Sequence, residues 1–185
     1  HSSVRDQVRY RIGWVAALAV LGMVSGFIVH RYEALIVQFS ILATFMPMLV
    51  DTGGNTGSQS ATLVVRALAL GEVSPRDALR VLAKELGVSL VLGVFLAVVA
   101  FGRVFLFGDQ SALPPGVTPA LVGIAVGTAL LIQVITSTLI GAFMPLVAAR
   151  VKLDPAIVAS PALTTIVDIT GLLIFFTTAR LMLGI

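Results

Sequence analysis

The sequence contains no cysteine and very little charge. Only 11% of its 185 residues are Asp, Glu, Lys or Arg, whereas 58% are hydrophobic and the mean hydropathy is +1.06. Soluble domains carry roughly 25% charged residues, so this composition excludes an ordinary soluble protein. The absence of cysteine excludes disulfides and thiolate metal sites.

Histidine is also scarce, and the sequence offers little for catalysis. It has neither a His-x-x-His pair nor a Ser-His-Asp set that the apolar segments could assemble, so hydrolytic and soft-metal chemistry lose support. The glycine-rich stretch GGNTGS, residues 53–58, lacks the Gly-Lys-Ser/Thr that completes a phosphate-binding loop. His30, beside Arg31 at the end of an apolar run, is interpreted as an interface residue rather than a ligand. We predict that the chain is not an enzyme.

What the sequence does contain is long uncharged runs, the longest at residues 110–149. About 20 apolar residues are needed to cross roughly 30 Å of hydrocarbon. Abundant Leu, Ala and Val without strand-like alternation favour helices over a β-barrel. The sequence therefore predicts an all-α polytopic membrane protein with five transmembrane helices, at residues 12–30, 34–69, 86–107, 119–149 and 156–183.

The basic residues predict how the chain is oriented. In the five-helix arrangement nine of the twelve Lys and Arg residues fall on one side and three on the other, namely Arg31, Arg103 and Arg180. The positive-inside rule then places the amino terminus in the cytoplasm and the carboxy terminus outside. We expect residues 1–11 to be a cytoplasmic segment, with a tag remnant at residues 1–3, and residues 12–185 to form the transmembrane pore domain. The basic residues are spread over loops, which argues against nucleic-acid binding.

Two acidic residues, Asp51 and Asp168, lie deep inside predicted spans. A carboxylate at the centre of a bilayer costs about 2.5 to 3.5 kcal/mol on insertion scales and normally faces a cavity or a partner. Asp168 follows Thr164 by one helical turn and Pro161 by two. Because proline removes a backbone donor, we expect carbonyl oxygens near residues 157–164 to be free to face an ion or water.

The second predicted span is too long for one crossing. An unbroken helix over residues 34–69 would measure about 54 Å, so it must bend, tilt or project into the cytoplasm. Pro47 and the pair Gly53-Gly54 are the expected places for a bend. A helix through this region would align five polar residues at helical spacing and so form the wall of a wet path. This polar stripe consists of Asp51, Asn55, Ser58, Thr62 and Arg66.

Other interpretations of the polar and small residues stay open. Glycines spaced by four residues, at 53 and 57, 22 and 26, and 123 and 127, fit helix packing as well as a site. The amides of Asn55, Gln59 and Gln133 could form hydrogen bonds between helices. A pair between Asp51 and Arg66 would need a bend or another subunit, because four helical turns separate them.

The ligand chemistry favours a hard cation. Mg²⁺ dehydrates reluctantly and keeps several waters while one or two carboxylates hold it. If two chains met on a twofold axis, the paired Asp168 residues would supply two negative charges to a divalent ion. Without the ion such a pair should be partly protonated, so low pH should compete with the metal.

Two long motifs carry a family resemblance. PMLVDTGGNTGSQSATLVVRALALGEV, residues 47–73, and DPAIVASPALTTIVDITGLLIFF, residues 154–176, resemble the signature regions of the transmembrane domain of MgtE-type magnesium transporters. The resemblance covers essentially the whole chain. It implies a homodimeric, Mg²⁺-selective channel whose pore lies at the subunit interface and is lined by the second and fifth helices of both subunits.

The resemblance also implies roles for particular residues. Asp168 corresponds to the acid that holds hydrated Mg²⁺ at mid-pore, and the carbonyl of Thr164 reaches the waters of that ion. The predicted pore-lining residues are Asp51, Asn55, Ser58, Thr62, Ser160, Pro161, Thr165 and Gly171. Mn²⁺, Co²⁺ and Ca²⁺ are alternative ions. Cytoplasmic amino-terminal and CBS regulatory domains, which full-length relatives carry, are expected to be absent from this sequence.

The sequence thus predicts influx of a divalent cation, Mg²⁺, through a multi-pass protein of the cell (inner) membrane. A proton-coupled or sodium-coupled secondary transporter is the alternative, with Asp51 and Asp168 as a relay and the broken second helix as a hinge. A module that only assembles through its small residues is a further alternative.

Overall fold

The computed structural model describes residues 3–107, 113–158 and 161–184, and every regular element in these ranges is a helix. The α-helices are α1 (Val4–Arg31), α2 (Glu33–Gln38), α3 (Ser40–Ala43), α4 (Met46–Ala69), α5 (Ala78–Phe107), α6 (Pro119–Arg150), α7 (Pro155–Val158) and α8 (Pro161–Leu183), with a short 3-10 helix at Pro75–Asp77. In the described ranges four helical segments are long and apolar enough to cross a membrane: α1, α5 with the 3-10 helix before it, α6 and α8. The predicted all-α fold is confirmed.

The second predicted span, residues 34–69, is interrupted, but the interruptions are not at the predicted positions. This segment consists of α2, α3 and α4, and α4 lies outside the set of four apolar spans. The first interruption is at Phe39, whose backbone angles (φ −126°, ψ 71°) are not helical, and the second is at residues 44–45. Pro47 lies in the first turn of α4, where its missing N–H needs no partner. No break occurs at Gly53-Gly54, through which α4 runs as continuous helix.

The second predicted span ends at residue 69 as predicted, and a glycine sets this end. Gly71 (φ +70°) ends α4: its N–H donates to Leu68 O at 3.2 Å, and the N–H of Glu72 donates to Ala67 O at 3.0 Å. This is a Schellman motif, which needs the left-handed conformation that glycine adopts freely. α5 begins at Ala78 rather than at residue 86, so the predicted loop at residues 71–85 is partly helical. The fifth predicted span is divided between α7 and α8.

The centre of the fold is α6, which packs against α4, α5 and α8, while α4 and α8 also contact each other. α1 packs against α8 and buries only Ile28, and most of its apolar side chains are exposed. Tyr32, which follows α1, stacks on Phe176 of α8 with ring centroids 5.0 Å apart. In a bilayer the exposed apolar surface of α1 suits contact with lipid.

Glycines bring the central helices into close contact. A Cβ atom at Gly141 of α6 would overlap the carbonyl of Gly57 on α4, and one at Gly127 would lie 3.1 Å from Ala97 O on α5. Gly123 similarly faces the ring of Phe101. By contrast, a Cβ at Gly22 or at Gly26 would meet nothing within 4 Å, so the pair on α1 has no packing partner in the described chain.

A buried hydrogen bond joins α4 to the start of α5. The hydroxyl of Ser60, which is 2% exposed, donates to a carboxylate oxygen of Glu85 at 2.8 Å. We expect Ser60→Ala to lower stability by roughly 1–3 kcal/mol, because it leaves the partly buried carboxylate without this donor. Thermal unfolding in detergent would measure the loss. Thr62→Ala is the matched control, since the exposed Thr62 hydroxyl donates to Ser58 O of its own helix. An equal effect of both substitutions would contradict the expectation.

Candidate functional site

Asp168 lies in the middle of α8 and is half-buried. One turn before it, the hydroxyls of Thr164 and Thr165 both donate to the carbonyl oxygen of Pro161, at 2.8 and 3.0 Å. The expectation of a free carbonyl is therefore wrong at Pro161, whose oxygen is occupied by these hydroxyls. Ser160, predicted to line the pore, lies outside the described residues.

α4 reaches the Asp168 region through its glycines. A Cβ at Gly54 would lie 3.9 Å from the Thr164 methyl group, and one at Gly57 would lie 3.4 Å from a methyl group of Val167. Gly53 also faces Val167, the residue directly before Asp168. The polar motif of the second predicted span therefore adjoins the acidic motif of the fifth.

The polar stripe lies on one helix and stays uncovered. All five of its residues belong to α4, and four of them, Asp51, Asn55, Thr62 and Arg66, are exposed in the single chain. Within the described residues no ion pair joins Asp51 to Arg66. The opposite side of α4 faces α6, where the hydroxyls of Thr56 and Ser137 lie 2.7 Å apart. α4 thus turns its glycines and small hydroxyl residues toward the fold and the polar stripe away from it.

Gln133 of α6 connects the two motifs. Its side chain is fully buried, and its amide nitrogen donates to the carbonyl oxygen of Val167 at 3.1 Å. A Cβ at Gly53 or at Gly171 would overlap the same amide nitrogen. Gly171, predicted to line the pore, is buried, and the contact observed for it is with the side chain of Gln133 on α6. The hydrogen bond between helices proposed for Gln133 is confirmed, but its partner was not predictable from sequence spacing.

The acidic residues form no cluster in one chain. Across the described ranges, no group of three or more His, Asp or Glu side chains could hold a metal ion. Asp51 lies on α4 and Asp168 on α8. A single copy therefore offers isolated carboxylates beside hydroxyls and backbone oxygens.

Apolar helices lie around α4 and α8, which pack through glycines and carry one isolated carboxylate each. This arrangement is typical of polytopic membrane transport proteins. The sequence profile of the MgtE family, described as divalent cation transporter, matches residues 46–178. The chain therefore belongs to the MgtE family, which comprises divalent cation transporters rather than enzymes.

Three curated relatives, each named magnesium transporter MgtE, match nearly the whole chain. The protein from Thermus thermophilus is 40% identical over 173 residues, 94% of this chain and 36% of its own length. Those from Bacillus subtilis and Enterococcus faecalis are 33% and 31% identical over 90% and 92% of this chain, and 35% and 36% of their own lengths. This chain thus spans about a third of the length of these relatives.

Proposed function

We propose that this chain is the pore-forming domain of a homodimeric, Mg²⁺-selective channel that carries the ion into the cell. Membership of a family of divalent cation transporters and the names of the relatives support magnesium as the transported substrate. The proposed pore lies between α4 and α8 of one protomer and the same helices of its partner. The cytoplasmic regulatory domains of such a channel would belong to the two thirds of the relatives' length that this chain does not match.

The observation that carries this proposal is the uncovered polar stripe beside the Asp168 turn. A face that presents Asp51 and Asn55 to hydrocarbon would leave polar groups unsatisfied. A second copy related by a twofold axis covers that face and encloses water between two α4–α8 pairs. The two stripes then line the path, with Arg66 at its cytoplasmic end.

At the centre of this path, two Asp168 carboxylates balance the charge of one divalent ion. Mg²⁺ keeps its inner waters, so the carboxylates and the carbonyl of Thr164 accept hydrogen bonds from those waters. A monovalent ion would leave one negative charge uncompensated in the low-dielectric membrane. Of the other predicted lining residues, Ser58, Pro161 and Thr165 lie along the same path in this arrangement.

The membrane potential supplies the driving force. A divalent cation gains about 4.6 kcal/mol per 100 mV when it moves to the negative side, twice the value for one charge. A passive channel therefore accumulates Mg²⁺ without coupling to another gradient. In the proposed topology α4 crosses the cell (inner) membrane as the second of five spans, with the amino terminus in the cytoplasm and the carboxy terminus outside.

The proposal is tested in liposomes that contain the purified chain and a Mg²⁺-sensitive dye. We expect Mg²⁺ uptake driven by an inside-negative potential alone, and no uphill uptake when a proton or sodium gradient is imposed at zero potential. Uphill uptake coupled to either gradient would replace the channel with a secondary transporter. The absence of any divalent flux would favour a module that only assembles.

A further inference from the structure

Gln133 is the most deeply buried polar side chain beside the Asp168 turn. It is 0% exposed, and its amide nitrogen lies 3.1 Å from the carbonyl oxygen of Val167. The Val167 carbonyl belongs to the peptide group that also contains the nitrogen of Asp168. The hydrogen bond therefore acts on the backbone unit that directly carries the carboxylate.

The slot that holds this amide has no spare room on either side. A Cβ at Gly53 of α4, or at Gly171 of α8, would overlap the Gln133 amide nitrogen. A Cβ at Gly171 would also lie 2.7 Å from the amide carbon of Gln133. Rotation or sliding of α8 relative to α6 would therefore either break the bond to Val167 or press Gly171 into the amide.

Packing alone does not account for an amide at this position. The Oε1 atom of Gln133 is buried and has no hydrogen-bond partner among the described residues. A buried polar atom without a partner lowers stability, whereas an unbranched apolar side chain of the same length would fill the slot without that cost. What the amide adds over such a side chain is the bond to Val167.

We propose that Gln133 is a positioning residue for Asp168, which it orients toward the ion path by fixing the rotation of α8, and that it thereby sets the affinity and selectivity for Mg²⁺. This inference rests on the proposed function. Two carboxylates that face each other across a twofold axis must keep a set distance to hold a hydrated ion. When both copies of α8 rotate slightly, each copy contributes to the change in that distance.

The test compares two buried substitutions on α6 in the liposome assay. Gln133→Met keeps the length of the side chain and removes the donor. Thr138→Val is the matched control: Thr138 is 3% exposed and its hydroxyl has no hydrogen-bond partner in the described residues. The half-saturating Mg²⁺ concentration and the ratio of Mg²⁺ to Ca²⁺ flux are measured for each folded variant.

We expect Gln133→Met to raise the half-saturating Mg²⁺ concentration roughly 3- to 10-fold, in line with the loss of one hydrogen bond, and to lower the flux ratio. Thr138→Val should change neither quantity. Gly171→Ala provides a second approach, because its methyl group displaces the amide from Val167 while Gln133 itself stays. Gly171→Ala should therefore also raise the half-saturating Mg²⁺ concentration and lower the flux ratio, as Gln133→Met does.

Wild-type affinity and selectivity in Gln133→Met would overturn the inference while leaving the proposed function intact. So would equal shifts in Gln133→Met and Thr138→Val, since these would reflect general loosening of the core. If neither Gln133→Met nor Gly171→Ala yielded folded protein, Gln133 would be assigned to folding and the inference would fail. A wild-type protein without Mg²⁺ flux would instead overturn the proposed function.

Discussion

Asp168→Asn is expected to reduce Mg²⁺ uptake into liposomes to the level of protein-free liposomes. The substitution keeps the shape of the side chain and removes one negative charge from each protomer, so a divalent ion at mid-membrane would lose both compensating charges. Thermal unfolding in detergent should be as in the wild type or shift upward, because burying a neutral amide costs less than burying a carboxylate.

The matched control for this prediction is Glu33→Gln, which also removes an acid but at an exposed position, where Glu33 pairs with His30. It should leave the flux nearly unchanged. Wild-type uptake by Asp168→Asn would contradict the assignment of this residue to the ion. Equal loss in both variants would indicate a nonspecific effect of charge.

Gly141→Val is expected to be the most destabilising single substitution in the helix core. A side chain at this position would overlap the carbonyl of Gly57, so the two backbones of α4 and α6 would have to separate. Overpacking costs typically 1–3 kcal/mol, and we expect about 3 kcal/mol because backbone atoms yield less than side chains. The melting temperature in detergent and the yield of folded protein measure the effect.

Gly26→Val is the control for that substitution. Both changes introduce the same β-branched residue into a helix, but a Cβ at Gly26 would meet nothing within 4 Å. Its effect should therefore be limited to the small difference in helix propensity, which favours valine over glycine. Equal melting temperatures for the two variants would show that α4 and α6 do not make the close contact seen between Gly57 and Gly141.

The sequence predicted those features that depend on local pattern. Uncharged runs of sufficient length identified the apolar helices, and the spacing from Asp51 to Arg66 correctly predicted one polar face on a helix. The same spacing did not reveal which side of α4 faces the fold. The two motifs were expected to adjoin, and the contacts of Gly54 with Thr164 and of Gly57 with Val167 agree with that expectation.

Other features could not be predicted because they depend on tertiary contacts. The backbone break at Phe39 has no glycine or proline signal. Phe39 is 1% exposed and belongs to the same buried hydrophobic cluster as Phe175 and Phe176. The bend expected at Gly53-Gly54 does not occur, because those glycines make room for Gln133 and Thr164 instead. The central place of α6 was missed as well, since its long uncharged sequence resembles that of a lipid-facing helix.

The most direct test of the proposed function is the location of a divalent ion in crystals of the proposed dimer. Mn²⁺ accepts the same octahedral oxygen environment as Mg²⁺ and gives an anomalous X-ray signal, so crystals soaked in Mn²⁺ can be compared with crystals of Asp168→Asn treated in the same way. We expect one anomalous peak on the twofold axis between the two Asp168 side chains. The peak should be absent from crystals of the variant and should disappear when excess Mg²⁺ displaces Mn²⁺. Asp168 side chains that face lipid, or lie too far apart to share one hydrated ion, would contradict the proposed function.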